Sequence, residues 1–139
     1  MVDINNFPDV LKNALKNKKV TLPEDIIENY TQFEVYRAVR YNESKHEINE
    51  TDFLSYAECP IPINPIDDKD INNYNCSFFQ DEKEMEKRTK FPTKNKAIAE
   101  GTLNDTNGPI VYSEGTHVGL FRYKNAKLAK FFKVVKTKS

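Results

Sequence analysis

The sequence predicts an α+β fold: N-terminal helices, one early strand, then a mainly antiparallel sheet in the C-terminal half, within a single compact domain over residues 1–139. Three observations predict it. Apolar residues recur at helical spacing near the N-terminus, at Val10, Leu11, Ala14 and Leu15. Between Gln32 and Tyr41 the pattern changes to an aromatic and β-branched run with strand alternation. All four glycines (Gly101, Gly108, Gly115 and Gly119) fall late, among short apolar runs separated by turn residues.

The first helix is expected over Pro8–Lys18, with Pro8 suited to the first turn. A second, short helix is expected over Pro23–Tyr30. Thr21 and Glu24 have capping-box spacing there, and Ile26, Ile27 and Tyr30 form an apolar side. Gln32–Tyr41 follows as a strand. Its odd face, Phe33, Val35, Arg37, Val39 and Tyr41, reads as the buried one. A third helix is expected over Glu50–Glu58, capped by Asn49 or Thr51, with Phe53, Leu54 and Ala57 inward.

Residues 59–75 are an irregular connection. Pro60, Pro62 and Pro65 forbid regular structure, and Asp67, Asp68 and Asp70 follow. Cys76–Phe79 is a short apolar strand. Asp81 and Glu84 then have capping spacing for a charged helix running to about Lys90, ended by Phe91-Pro92. Ala97–Leu103, Pro109–Ser113 and Thr116–Tyr123 read as strands, with turns at Asn107-Gly108 and Glu114-Gly115. Over 126–136, Leu128, Phe131, Phe132 and Val135 fit a helix, whereas Phe131-Phe132 and Val134-Val135 fit a buried strand. The strand-rich neighbourhood selects the strand.

A chain of 139 residues fits one domain and needs neither disulfide nor metal to fold. Nine Phe and seven Tyr supply enough apolar surface to exclude general disorder. No stretch approaches 18 apolar residues, and Met1–Asn6 lacks the basic-then-apolar layout of a signal peptide. A cytoplasmic protein with Cys59 and Cys76 as free thiols is therefore expected. The net charge is zero but unevenly spread. Residues 1–75 carry 14 acidic and 8 basic side chains, and residues 76–139 carry 7 and 13. No acidic residue follows Glu114, while Arg122, Lys124, Lys127, Lys130, Lys133, Lys136 and Lys138 do. Such asymmetry marks a polyanion or acidic-partner surface, or two halves that pack with complementary fields.

Arg37 is the most informative residue. A guanidinium on an apolar strand face must be paired structurally or must grip an anion. Ser77, in the Cys76–Phe79 strand, can orient a ligand or satisfy the local backbone. His117 is a candidate general acid or base, with Glu114 three residues earlier to orient it, or is a hydrogen-bonded strand histidine. His46 lies in a polar loop without an assigned role. No metal site is expected, because Cys59, Cys76, His46 and His117 lack close ligand pairs and Asp67–Asp70 lacks the EF-hand glycine and glutamate. No GxGxxG, P-loop or GxSxG occurs.

Two functional readings follow. The first is a small non-catalytic binding or interaction module. Its partner is a protein or polyanion engaged by Lys124, Lys127, Lys130, Lys133 and Lys136, beside Phe121, Tyr123, Phe131 and Phe132 as stacking faces. The second rests on the chain order Arg37, Ser77, Glu114, which is similar to that of mono-ADP-ribosyltransferases of the arginine–serine–glutamate class. The resemblance implies a nucleotide-using transferase with NAD as its cofactor. Arg37 would grip the dinucleotide, Ser77 would order the site, and Glu114 would stabilise the ribosyl cation. The chain departs from that pattern at two places. Phe78-Phe79 follow Ser77 where hydroxyl residues are usual, and Tyr112 stands two positions before Glu114 where an acid or amide is usual. Under the binding reading no cofactor is expected.

Overall fold

A computed structural model describes residues 2–41, 47–59, 67–92 and 95–137. The fold is α+β, with the sheet mostly in the C-terminal half. Helix α1 is Asp9–Lys16 and strand β1 is Phe33–Arg40. Strand β2, Cys76–Phe79, leads into helix α2, Glu82–Thr89. Strands β3 (Lys96–Leu103), β4 (Ile110–Tyr112), β5 (His117–Leu120) and β6 (Phe132–Thr137) complete the set. They form one six-stranded sheet in the order β4-β5-β2-β1-β3-β6, every neighbouring pair antiparallel.

Alternation divides the sheet into two faces. One face carries Val35, Val39, Cys76, Phe78, Ala97, Ala99, Val118 and Leu120. With Phe53 and Leu128 laid over it, this is the main core. The other carries Phe79 and Ile98, covered by Met85 of α2 and by Phe91. At the β4 end, Val111 and Phe121 pack with Phe7, Leu11 and Ala14 around α1.

Helix α1 stops short of the expected Lys18. Lys18 takes φ 58°, and the Lys19 amide returns to the Ala14 carbonyl at 2.9 Å, closing the C-terminus. The helix expected over Pro23–Tyr30 does not form. Ile27 instead exchanges two backbone hydrogen bonds with Ile110, 2.7 and 2.9 Å, as an isolated bridge on the outside of β4. Ile26 packs into the α1 cluster and Ile27 into the main core, which is strand alternation rather than a helical stripe. Tyr30 holds the following segment down, its hydroxyl within 2.8 Å of the Asn104 carbonyl and 2.6 Å of the Gly108 carbonyl.

The helix expected over Glu50–Glu58 is two 3-10 turns, Glu50–Phe53 and Tyr56–Glu58. Asn49 and Asp52 close a capping box around the first, and Ser55 and Glu58 close another around the second. Leu54 between them is extended, at φ −76° and ψ 145°. Two reciprocal boxes six residues apart bind to side-chain oxygens the amides that one continuous helix would need. Of the irregular connection, residues 60–66 lie outside the described residues, as does His46. Ile71–Tyr74 forms a further 3-10 turn. Asp81 caps α2 as expected, accepting the Glu84 amide at 2.9 Å.

The Glu114-Gly115 turn joins the neighbouring strands β4 and β5. The Asn107-Gly108 turn is not a hairpin, because β5, β2 and β1 lie between β4 and β3 in the sheet order. Its Gly108 has φ 140°, and a Cβ there would meet the Phe121 carbonyl oxygen at 2.2 Å. Residues 132–137 form the last strand, preceded by a 3-10 turn at Ala129–Phe131. Cys59 and Cys76 are both free thiols, and burial pushes the Cys76 thiol up. No helix among the described residues is long and apolar enough to cross a membrane.

Candidate functional site

Arg37 lies on the main-core face, where β1 meets β2. The two strands are registered at Tyr36 and Phe79, which puts Arg37 on the same face as Phe78. Its Nε donates to the Asp52 carbonyl at 2.9 Å and its Nη1 to the Ser77 carbonyl at 2.7 Å. Its Cζ lies 5.6 Å from the centre of the Phe78 ring. The guanidinium thus joins β1, the Glu50–Phe53 turn and β2 through two main-chain oxygens and one aromatic ring.

The Ser77 hydroxyl is on the opposite face. Ser77 is registered against Gly119 and Phe79 against His117, so Ser77, Phe79, His117 and Gly119 share the face away from Arg37. His117 Nε2 is 3.0 Å from Ser77 Oγ, and His117 Nδ1 is 2.6 Å from Ser113 Oγ. One imidazole therefore bridges two exposed hydroxyls. A neutral ring accepts from one and donates to the other, in either tautomer. Burial holds the His117 pKa below its ordinary value, the charge of Arg88 adds to this, and Glu84 opposes it. The His117 ring packs edge-on to Phe79 at 5.2 Å, and the Arg88 guanidinium lies 5.5 Å from the Phe79 ring.

The turn that carries His117 is held by α2. The Thr116 amide donates to Glu84 Oε2 at 3.0 Å, and the Asp81 amide donates to Thr116 Oγ1 at 3.2 Å. Glu114 is exposed at this turn and takes part through its backbone, its carbonyl accepting the His117 amide at 3.2 Å. The structure thus brings Ser77 and His117 together, leaves Glu114 at the rim, and sets Arg37 behind the sheet.

Two members of this cluster have no counterpart among the sequence candidates. Ser113 is one. Asn75 is the other: it is only 6% exposed, its side chain makes no hydrogen bond among the described residues, and its amide lies over Gly119. A Cβ on Gly119 would sit 2.7 Å from Asn75 Nδ2. The missing side chain opposite Ser77 is what admits this amide.

The basic residues are carried by several segments of the chain. Lys124 donates its amide to the Asn6 carbonyl at 2.7 Å, beside the N-terminal 3-10 turn. Lys127 is exposed in the connection that leads to β6. Lys130 lies 5.1 Å from the ring of Phe131, itself 46% exposed. Lys133 and Lys136 are on β6, whose register against β3 shifts between Ile98 and Ala99. Lys133 opposes Glu100 and Lys136 opposes Ile98, so the shift puts both lysines on one face although they are three residues apart. Lys136 Nζ also reaches Glu86 Oε1 at 2.7 Å. Lys138 lies outside the described residues.

No group of three or more His, Cys, Asp or Glu side chains able to hold a metal occurs among the described residues. No family model, no curated protein and no solved structure matches the chain.

Proposed function

We propose that the protein is a binding module that takes an extended acidic peptide as an added strand along the outer edge of β6. The observation that carries this reading is the position of β6. It ends the sheet order, with no strand beyond it among the described residues. An end strand presents unpaired amides and carbonyls in the spacing an extended chain needs. Beside those groups stand Lys130, Lys133, exposed Phe131 and Val135, which is 39% exposed. Lysines on an edge oppose pairing with a second copy of the same edge and favour a partner of opposite charge.

A groove of about 240 Å³ opens on the sheet face just inside this edge, running from Lys130–Lys133 across Glu100, Gly101 and Thr102 of β3 to Glu34 of β1. Its basic rim suits acidic side chains. Its inner wall, at Glu34 and Glu100, excludes a carboxylate and suits a neutral polar or apolar one. The peptide class that fits is therefore acidic but alternating.

The test is calorimetric titration with a ten-residue peptide of alternating Glu and Val. Binding is expected to weaken as salt rises, and to fall by roughly tenfold or more in Lys130→Glu/Lys133→Glu. N-methylation of every second peptide amide is expected to abolish it. Equal affinity for the N-methylated peptide, or preference for a single-stranded oligothymidylate, would overturn the peptide-strand reading.

A further inference from the structure

We infer that Ser77 is the nucleophile of an acyl-transfer site, with His117 as its general base and Asn75 as the donor to the developing oxyanion. The site is independent of the β6 edge. Ser77 is on β2, three strand spacings or roughly 14 Å from β6.

Three observations converge on it. Ser77 is exposed although its neighbours Cys76 and Phe78 are buried, so its hydroxyl is open to a substrate. Its Oγ is 3.0 Å from His117 Nε2, within the distance needed for a proton to pass, and Ser113 Oγ at 2.6 Å from Nδ1 fixes the ring. Asn75, 6% exposed overall, lays its amide over Gly119, directly across the ladder from Ser77. An oxygen acquiring charge beside Ser77 is an acceptor for that amide.

The residues define the step. With Nδ1–H donating to Ser113 Oγ, Nε2 is free to accept. The Ser77 proton moves to Nε2 as Oγ bonds the carbonyl carbon of an ester. The carbon–oxygen bond to the alcohol breaks, and the alcohol leaves with the proton from Nε2. Water then gives a proton to Nε2 and its oxygen bonds the acyl carbon. Ser77 Oγ departs with that proton, and the net products are a carboxylic acid and an alcohol. The open setting suits a small acyl group, and Arg88 beside Phe79 favours a substrate with negative charge near the ester.

The experiment uses the full chain with p-nitrophenyl acetate, read by nitrophenol release and by peptide mass mapping of the acetyl group. Wild type is expected to acquire one acetyl group at Ser77, and Ser77→Ala none. His117→Gln should slow release by roughly 10²-fold or more, and Asn75→Ala by about 10²-fold in kcat with KM little changed. Gly119→Ala tests the same donor without touching it, since its Cβ displaces the Asn75 amide, and kcat should fall there too. Ser113 is a positioning residue. In Ser113→Ala the acid limb of the pH profile should move to lower pH, because the imidazolium loses its Nδ1 acceptor. The charged groups around that ring are Arg88 and Glu84 from α2, and Glu114 from its own turn. Acetylation spread over lysines with Ser77 unmodified, or release by Ser77→Ala at the wild-type rate, would overturn the assignment. Unchanged kcat in folded Asn75→Ala and Gly119→Ala would remove Asn75 from it.

Discussion

A guanidinium inside an apolar strand face needs acceptors, and Arg37 finds two carbonyls that no side-chain substitution can remove. Arg37→Ala should therefore lower the free energy of unfolding by about 2 kcal/mol, since it removes the donor to the part-buried Asp52 carbonyl as well as the more exposed bond to Ser77. Urea titration checks this through the midpoint at unchanged slope. His117 makes a second prediction. Its folded pKa lies below the ordinary 6.5, so the native state binds the proton less well than the unfolded chain. Stability from this residue is fully present above pH 6.5 and declines as pH falls through 6.5 towards the folded pKa, then levels. Stability curves of wild type and His117→Gln should converge over that interval. Arg37, Ser77 and His117 were legible as residue types out of place: a charge in an apolar face, a hydroxyl in an apolar run, a histidine by a turn. Asn75 was not legible, because its meaning comes from the Ser77–Gly119 register, which pairs strands far apart in the chain. Ser113 did leave a trace. Residues flanking Glu114-Gly115 in a hairpin are neighbours, so Ser113 and His117 were bound to meet.

At the scale of elements, the sequence was most legible where one period dominated. β1, β2, β3 and α2 fall within a residue or two of expectation, since each carries an unbroken pattern or a clear cap. Ile26-Ile27 misleads because two adjacent β-branched residues satisfy a helical stripe and a strand equally until the partner Ile110 is known. The lysines of β6 mislead in another way. A spacing of three alternates faces on a regular strand, and only the register shift opposite Ile98 and Ala99 unites them. The approach to β6 is itself fixed by one carboxylate. Glu50 accepts the amides of Leu128 at 2.8 Å and Ala129 at 3.0 Å. Glu50→Ala should cost about 2 kcal/mol and should speed amide exchange across residues 128–131 more than in β1. Equal acceleration in both segments would show that Glu50 stabilises the whole fold and does not specifically seat β6.

For the whole molecule, the two oppositely charged halves of the chain are not two lobes. β1, from the acidic half, lies between β2 and β3 of the basic half, and part-buried Glu58 and Arg122 pair across the divide at 2.6 Å. Unfolding should accordingly be one transition. Far-ultraviolet dichroism and tyrosine fluorescence should give coincident urea curves, and separate midpoints would indicate two units. The same strand order bears on how the fold is reached. The β4–β5 hairpin can close as soon as its own few residues exist. The central pairing of β1 with β3 joins Val35 to Gly101 and Arg40 to Lys96, 66 and 56 residues apart in the chain. Closing so long a loop precedes most of the core contacts that reward it, so folding belongs to the slow, millisecond-to-second class of sheet proteins. During synthesis the edge of β1 that β3 takes stays unpaired until β3 has been made. A nascent chain stalled before residue 96 would expose Val35 and Val39 to whatever else in the cell pairs with a naked strand.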